Sequence, residues 1–284
     1  MLSRRDFLAG MGVLLSFPNI ALAQEEAKKP DPLFKDLIGK TTREDPMSSF
    51  DIRAFYAHEN LTFDQAIGQF YRFIREAKKI SSAFSTIYFV ADSMEESLSN
   101  PLPDEEKDFY RKIKEQAAVW ELPGEKITYF GLGVPIEGCD SFVSIGFDYR
   151  IASNCRIELS FVRIGREGTA RARPIFDALI ASLIKHFPIQ YILENCISDT
   201  AAWLALKLAI GWAITAATAD IGRIQGFPRY EIAPGFTRLA SVAEVFDVTN
   251  PKHVERAQAL ERAIEANTGF VKRIGFFNSR KNRK

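Results

Sequence analysis

The chain has 284 residues, 46% of them hydrophobic, with 37 Lys and Arg against 36 Asp and Glu for a formal net charge of +1. That apolar fraction is ample for one large packed core or two small ones. The even charge balance argues against a dedicated nucleic-acid binder, which carries a net basic domain or stripe, and the basic run Ser279-Arg280-Lys281-Asn282-Arg283-Lys284 reads as a solvated terminus.

In chain order, the first element is an N-terminal segment of export type. Ser3-Arg4-Arg5-Asp6-Phe7-Leu8 opens the chain, an apolar run from Met11 to Ala23 is broken only by Ser16, Pro18 and Asn19, and Ala21-Leu22-Ala23 precedes Gln24. A charged start, a short apolar run and a small-x-small site in that order form a secretory signal. The paired arginines followed by Phe-Leu resemble the twin-arginine (Tat) translocation motif S-R-R-x-F-L, with Ala9 standing where that motif most often has Lys. The resemblance implies a signal peptide over residues 1–23 with cleavage between Ala23 and Gln24. It also implies the Tat export machinery as a partner, a periplasmic location, and a chain that folds before it crosses the membrane. Loss of Arg4, Arg5 and Asp6 leaves the two signs of charge equal.

Residues 24–50 are polar and rich in Lys, Asp and Pro, and read as a linker. Residues 51–284 read as one α+β domain, a central and mostly antiparallel sheet flanked by helices, with 222–284 open to a reading as a helical C-terminal extension. Thr62-Phe63-Asp64-Gln65 has the form of a capping box, and Phe63, Ala66, Ile67, Phe70, Ile74 and Ala77 recur at helical spacing to about Lys79. Thr86 to Val90 is a β-rich run, and Glu105 to Trp120 is expected to be helical. Ile127 to Gly131 reads as a strand. Val143 to Ile151 and Arg156 to Phe161 alternate apolar and polar residues on either side of Ala152-Ser153-Asn154, which specifies antiparallel strands with one buried face. Pro174 occupies an N1 position for a helix to Phe187, and a strand follows near Gln190 to Leu193. The run from Ala201 to Ala219 is long enough to span a membrane, but Lys207 in its middle costs about 2.5 to 3.5 kcal/mol on insertion scales. It reads as a buried helix, and the mature chain is expected to have no transmembrane span. Asn250-Pro251 caps a last helix that Gly269 closes.

The three histidines, His58, His186 and His253, form no metal-binding spacing, and no metal is expected. His186 at a helix C-terminus suits the helix dipole. Cys139, Cys155 and Cys196 permit one disulfide in an oxidising compartment, but their apolar surroundings favour buried thiols.

One segment invites a ligand. Gly165 and Gly168 can let backbone amides approach an anion, a helix start follows, and Arg163, Arg166, Arg171 and Arg173 supply charge, so the stretch can hold a phosphate or carboxylate. The competing reading is a strand-to-helix connection whose arginines stay solvated. The order of elements from Ile127 to Trp212 is similar to the central part of GNAT-type N-acetyltransferases. In those enzymes an Arg/Gln-x-x-Gly-x-Gly/Ala loop binds the pyrophosphate of acetyl-CoA, and Gly168-Thr169-Ala170 matches its last three positions. Gly165 stands at the first position, with Arg166 one place late. The resemblance implies acetyl-CoA as cofactor and acyl transfer as activity, against which stands the absence of acetyl-CoA outside the cytoplasm. The readings of function are therefore an exported binding or accessory module, taking a small anionic ligand or a protein partner, a GNAT-like N-acyltransferase, and a hydrolase whose carboxylates are scattered in sequence.

Overall fold

Ser49-Phe50-Asp51-Ile52-Arg53-Ala54-Phe55-Tyr56 forms the strand on which the rest of the molecule is built. The computed structural model describes residues 49–91, 94–135, 142–162, 164–197 and 211–274. The strands are β1 (Ser49–Tyr56), β2 (Tyr88–Phe89), β3 (Ala118–Leu122), β4 (Glu125–Pro135), β5 (Phe142–Arg150), β6 (Cys155–Val162), β7 (Ile189–Ile197), β8 (Ala213–Ala217), β9 (Arg229–Ala233) and β10 (Phe236–Ala240). The helices are α1 (Phe63–Ile80), α2 (Met94–Leu98), α3 (Glu106–Gln116), α4 (Gly165–Arg171), α5 (Arg173–His186), α6 (Thr218–Ile221), α7 (Pro251–Ala266) and α8 (Thr268–Ile274).

The strands make one ten-stranded sheet in the order β2-β4-β5-β6-β1-β7-β8-β10-β9, with β3 alongside β4. Every pairing in it is antiparallel. The expected α+β class and antiparallel sheet are therefore those of the molecule. Strand β1 lies between β6 and β7, so α4 and α5 carry the chain across it from one neighbour to the other.

Two helix-covered cores result from the period-two alternation. On one face Phe50, Ile52, Ala54 and Tyr56 of β1, with Phe147 of β5 and Ile157, Leu159 and Phe161 of β6, pack under α1 and α5. Helix α1 starts where the capping box predicts, the Thr62 amide donating to Gln65 Oε1 at 2.8 Å and the Gln65 amide to Thr62 Oγ1 at 3.3 Å. It buries Ala66, Ile67, Phe70, Phe73, Ile74 and Ala77. Phe176 of α5 stacks on Phe50 with ring centroids 4.6 Å apart. On the opposite face Tyr191 and Leu193 of β7, Ile214 of β8 and Leu239 of β10 form a second, smaller cluster with Leu260 and Ile264 of α7 and Phe270 of α8.

Several expectations need correction. The linker reading of 24–50 runs two residues into β1, and the first described element is this strand rather than the helix at Thr62. Asp51 and Arg53 make the segment look like a continuation of the polar stretch before it, although Phe50, Ile52, Ala54 and Tyr56 hold the alternation. The expected helix from Glu105 to Trp120 ends at Gln116, and Trp120 belongs to β3. The run 201–219 is not one helix: residues 201–210 lie outside the described part, and Ala213–Ala217 is a strand. A strand buried on both sides of a sheet shows a continuous apolar run that periodicity cannot tell from a buried helix. The reading of 222–284 as a helical extension fails for its first part, because β9 and β10 extend the main sheet through β8. Among the described residues no helix is long and apolar enough to cross a membrane.

Candidate functional site

The segment singled out for an anion is helical. Gly165, with φ of 64°, turns the chain out of β6, a conformation open to glycine without strain, and residues 165–171 then coil as α4. Gly165, Gly168 and Thr169 are buried, and the Thr169 hydroxyl donates to the Gly165 carbonyl at 2.7 Å. The Gly168 carbonyl accepts from the Ala172 amide at 2.9 Å. Ala170 is exposed, and Arg163 lies outside the described residues. The segment is thus a short helix between two longer elements, with its glycines turned inward, rather than an open loop of glycine amides. The acyl-CoA reading gains no support from this geometry.

The arginines differ in fate. Arg166 reaches the loop before α7 and pairs with Asp247. Partial burial pushes the Asp247 carboxyl up, but hydrogen bonds from the Thr249 hydroxyl and amide, with the charges of Arg166 and His253, hold it below the ordinary carboxylate value. His253 completes this staple: its Nδ1 accepts the Asp247 amide at 2.9 Å, and its Nε2 lies 2.9 Å from Glu244. Arg173 goes into the protein. Its Nη1 donates to Glu194 Oε2 at 2.6 Å and its Nε to Asp177 Oδ1 at 2.7 Å, while Arg238 Nη1 donates to Asp177 Oδ1 at 2.5 Å and lies 3.7 Å from Glu194 Oε1. Glu194 is fully buried, and Arg238 rests on the Tyr230 ring with its guanidinium carbon 4.6 Å from the centroid. Two guanidiniums and two carboxylates therefore close on one another beneath the start of α5. Burial alone lowers the Arg173 pKa, but Glu194 and Asp177 outweigh it and raise the value above that of a free guanidinium. The expectation that these arginines stay solvated does not hold for Arg173, while Arg166 and Arg171 remain exposed.

A second charged array lies on the other face of the sheet, built by register. Asp51 faces Ser160, Arg53 faces Glu158, and Asp148 faces Arg156. Ser160 Oγ donates to Asp51 Oδ1 at 2.6 Å, Arg53 bridges Asp51 and Glu158 at 2.9 Å to each, and Arg150 and Arg156 reach Asp148 at 3.0 and 2.9 Å. Burial pushes the Asp51 carboxyl up to about 6; Arg53 and the Ser160 hydroxyl oppose the shift, and the Glu158 charge adds to it. Tyr129 closes the array on one side by lying across Gly131, where a Cβ would come within 2.9 Å of its hydroxyl.

The remaining candidate groups serve packing. His186 Nε2 lies 2.6 Å from Glu76 Oε2 and Lys185 lies 2.9 Å from the same atom, which ties α5 to α1. Cys155 is a buried free thiol that accepts from the Arg150 amide at 3.3 Å, and burial raises its pKa. Cys139 and the Cys196 side chain lie outside the described part. Among the described residues no group of His, Cys, Asp and Glu is arranged to hold a metal ion.

Glu194, Asp177 and Arg238, the partners that decide what Arg173 does, were not singled out by sequence reasoning. The available signals are a lone acid in the apolar run Tyr191-Ile192-Leu193-Glu194 and the i, i+4 spacing of Arg173 and Asp177. Arg238 has no local signal at all.

No family model matches the chain, and no curated protein matches it. Its backbone is similar to a solved structure described as Pseudomonas aeruginosa T6SS protein PA0821, with a TM-score of 0.45 and 8% identity over 92% of this chain and 82% of that one.

Proposed function

We propose that this chain is an exported accessory or binding module of the bacterial periplasm, delivered folded by the Tat machinery and without chemistry of its own. The observation that carries this reading is the motif Ser3-Arg4-Arg5-Asp6-Phe7-Leu8, followed by an apolar run and Ala21-Leu22-Ala23. The state of the charged side chains is in keeping with a binding role. Arg166 and Arg173 of the candidate segment pair with Asp247, Asp177 and Glu194, and the Ser160 hydroxyl donates a hydrogen bond to Asp51 while His186 and His253 are engaged by Glu76, Glu244 and the Asp247 amide. A nucleophile needs an adjacent base to activate it, and these bases are occupied in holding elements together. A small anionic ligand or a protein partner would meet the outer side of α4, where Arg166 remains half-exposed.

The test is a fusion of residues 1–30 to a reporter that is active only when exported folded. Export is expected for the native segment and is expected to be lost when Arg4 and Arg5 are both replaced by Lys. Export that survives the replacement, or that never occurs, would overturn the reading.

A further inference from the structure

The two edges of the sheet are built differently. The edge at β9 carries Arg229 and Glu231 as its exposed side chains, and Arg238 covers Tyr230. Charges on an edge strand are a common guard against pairing with another chain. The edge at β3 carries one charged side chain, Glu121, among apolar ones. All five of its residues are exposed, with Val119 at 52%, Trp120 at 39% and Leu122 at 52% of full accessibility, and Ile151 in the adjoining turn at 49%.

The direction of its backbone groups follows from the hairpin. Leu122 and Glu125 close a two-residue turn, Pro123-Gly124, in which Gly124 has φ of 78°. Lys126 O accepts from the Ile151 amide on the β5 side, so Lys126 faces away from β3 and its cross-strand partner Glu121 faces away from β4. The alternation then turns the N–H and C=O groups of Val119 and Glu121 toward the side of β3 that no described strand covers. They are the groups that an added strand would meet.

The side chains select the added strand. For a second β3 running antiparallel about a two-fold axis, only registers that pair outward-facing residues with each other can form the ladder. An axis at Glu121 sets like charges opposite one another and puts Val119 against Pro123, which has no N–H to donate. An axis at Val119 places Trp120 against Ala118 and leaves Leu122 facing polar Gln116. An axis at Trp120 pairs Val119 with Glu121 twice, opposes no like charges, and lays Ala118, Trp120 and Leu122 against Leu122, Trp120 and Ala118. Trp120 then faces its own copy at a non-hydrogen-bonded position, where side chains come closest. Trp120 already stacks on Tyr129 at 6.1 Å between centroids, so the aromatic row continues across the axis.

We propose that β3 is a self-association surface, on which a second copy of this chain docks edge to edge and antiparallel, centred on Trp120. A closed two-fold contact of this kind uses up the β3 edge of both chains and stops at two chains.

Sedimentation equilibrium of the full chain tests it. The weight-average mass is expected to rise with concentration from that of one chain toward twice that value. Trp120→Arg, which opposes two charges at the axis, and Val119→Pro, which removes an outward N–H, are each expected to weaken association by at least about tenfold, with the circular dichroism spectrum unchanged. The register is read by mixing Ala118→Cys with Leu122→Cys. The mixture is expected to form a disulfide-linked pair on oxidation, and either variant alone is not. A mass that stays at one chain at the highest concentration overturns the proposal, as does a dimer that survives both substitutions or cross-links without preference for the mixture.

Discussion

The two charged arrays of this protein use the same residue types to opposite effect. Beneath α5, Arg173 and Arg238 face Asp177 and Glu194, so charge is balanced pair for pair within a helix-covered core. On the other face Asp51, Glu158 and Asp148 share Arg53, Arg150 and Arg156 in a chain, and Asp51 lies at its buried end with a single guanidinium. Glu194 is held by Arg173 at 2.6 Å with Arg238 beside it, whereas burial pushes the Asp51 carboxyl up to about 6. The buried Glu194 meets two guanidiniums, whereas the buried Asp51 meets one that it shares with Glu158.

The largest effect should come from breaking the array beneath α5. Glu194→Ala leaves two guanidiniums under α5 with only Asp177 to share, and is expected to cost about 3 to 5 kcal/mol, read as a fall in the urea midpoint. A loss below about 1 kcal/mol would mean that the cluster relaxes to solvent as a surface pair does.

The second effect appears only as a function of pH. Because the folded Asp51 carboxyl titrates near 6 against an ordinary value of 3.8, the folded chain holds a proton that the unfolded chain has released. Its contribution is fully present below about pH 3.8 and is lost as pH rises through about 6, a span of roughly 3 kcal/mol. Asp51→Asn, which keeps the shape and cannot ionise, should flatten the unfolding free energy across that window. A slope unchanged by the substitution would assign the titration elsewhere.

The smallest effect sharpens the contrast from outside both arrays. The Arg166 side chain is 45% exposed in its pair with Asp247, so Arg166→Ala is expected to cost less than about 1 kcal/mol. Calorimetry of the same variant bears on the anion readings. Acetyl-CoA is expected to give no heat with either form, and binding that Arg166→Ala abolishes would restore the acyl-CoA reading of the segment.

Much of the local structure was legible. The capping box at Thr62 and Gln65, the helical spacing from Phe63 to Ala77 and the alternation on both sides of Ala152-Ser153-Asn154 are each dictated by neighbours a few residues apart. The candidate site was legible only as a place. Gly165 to Arg173 does lie where β6 hands over to a long helix, but whether its glycines face out or in and its arginines meet water or carboxylates depends on Asp247, Glu194 and Arg238. Those residues lie between 21 and 81 positions away from the arginines they engage or surround and carry no pattern that links them.

By itself the sequence determined the fold class and the elements whose signals are local, because amphipathic period needs no partner to be seen. The tertiary structure alone decided that β1 is the central strand, that Ala213–Ala217 and the two strands after it extend the sheet, and that Arg173 meets Glu194 and Asp177 inside the protein. Strand order and ion pairing are contacts between distant residues, and what selects them is the burial of charge and apolar surface in the assembled molecule, a quantity that no short stretch of sequence contains.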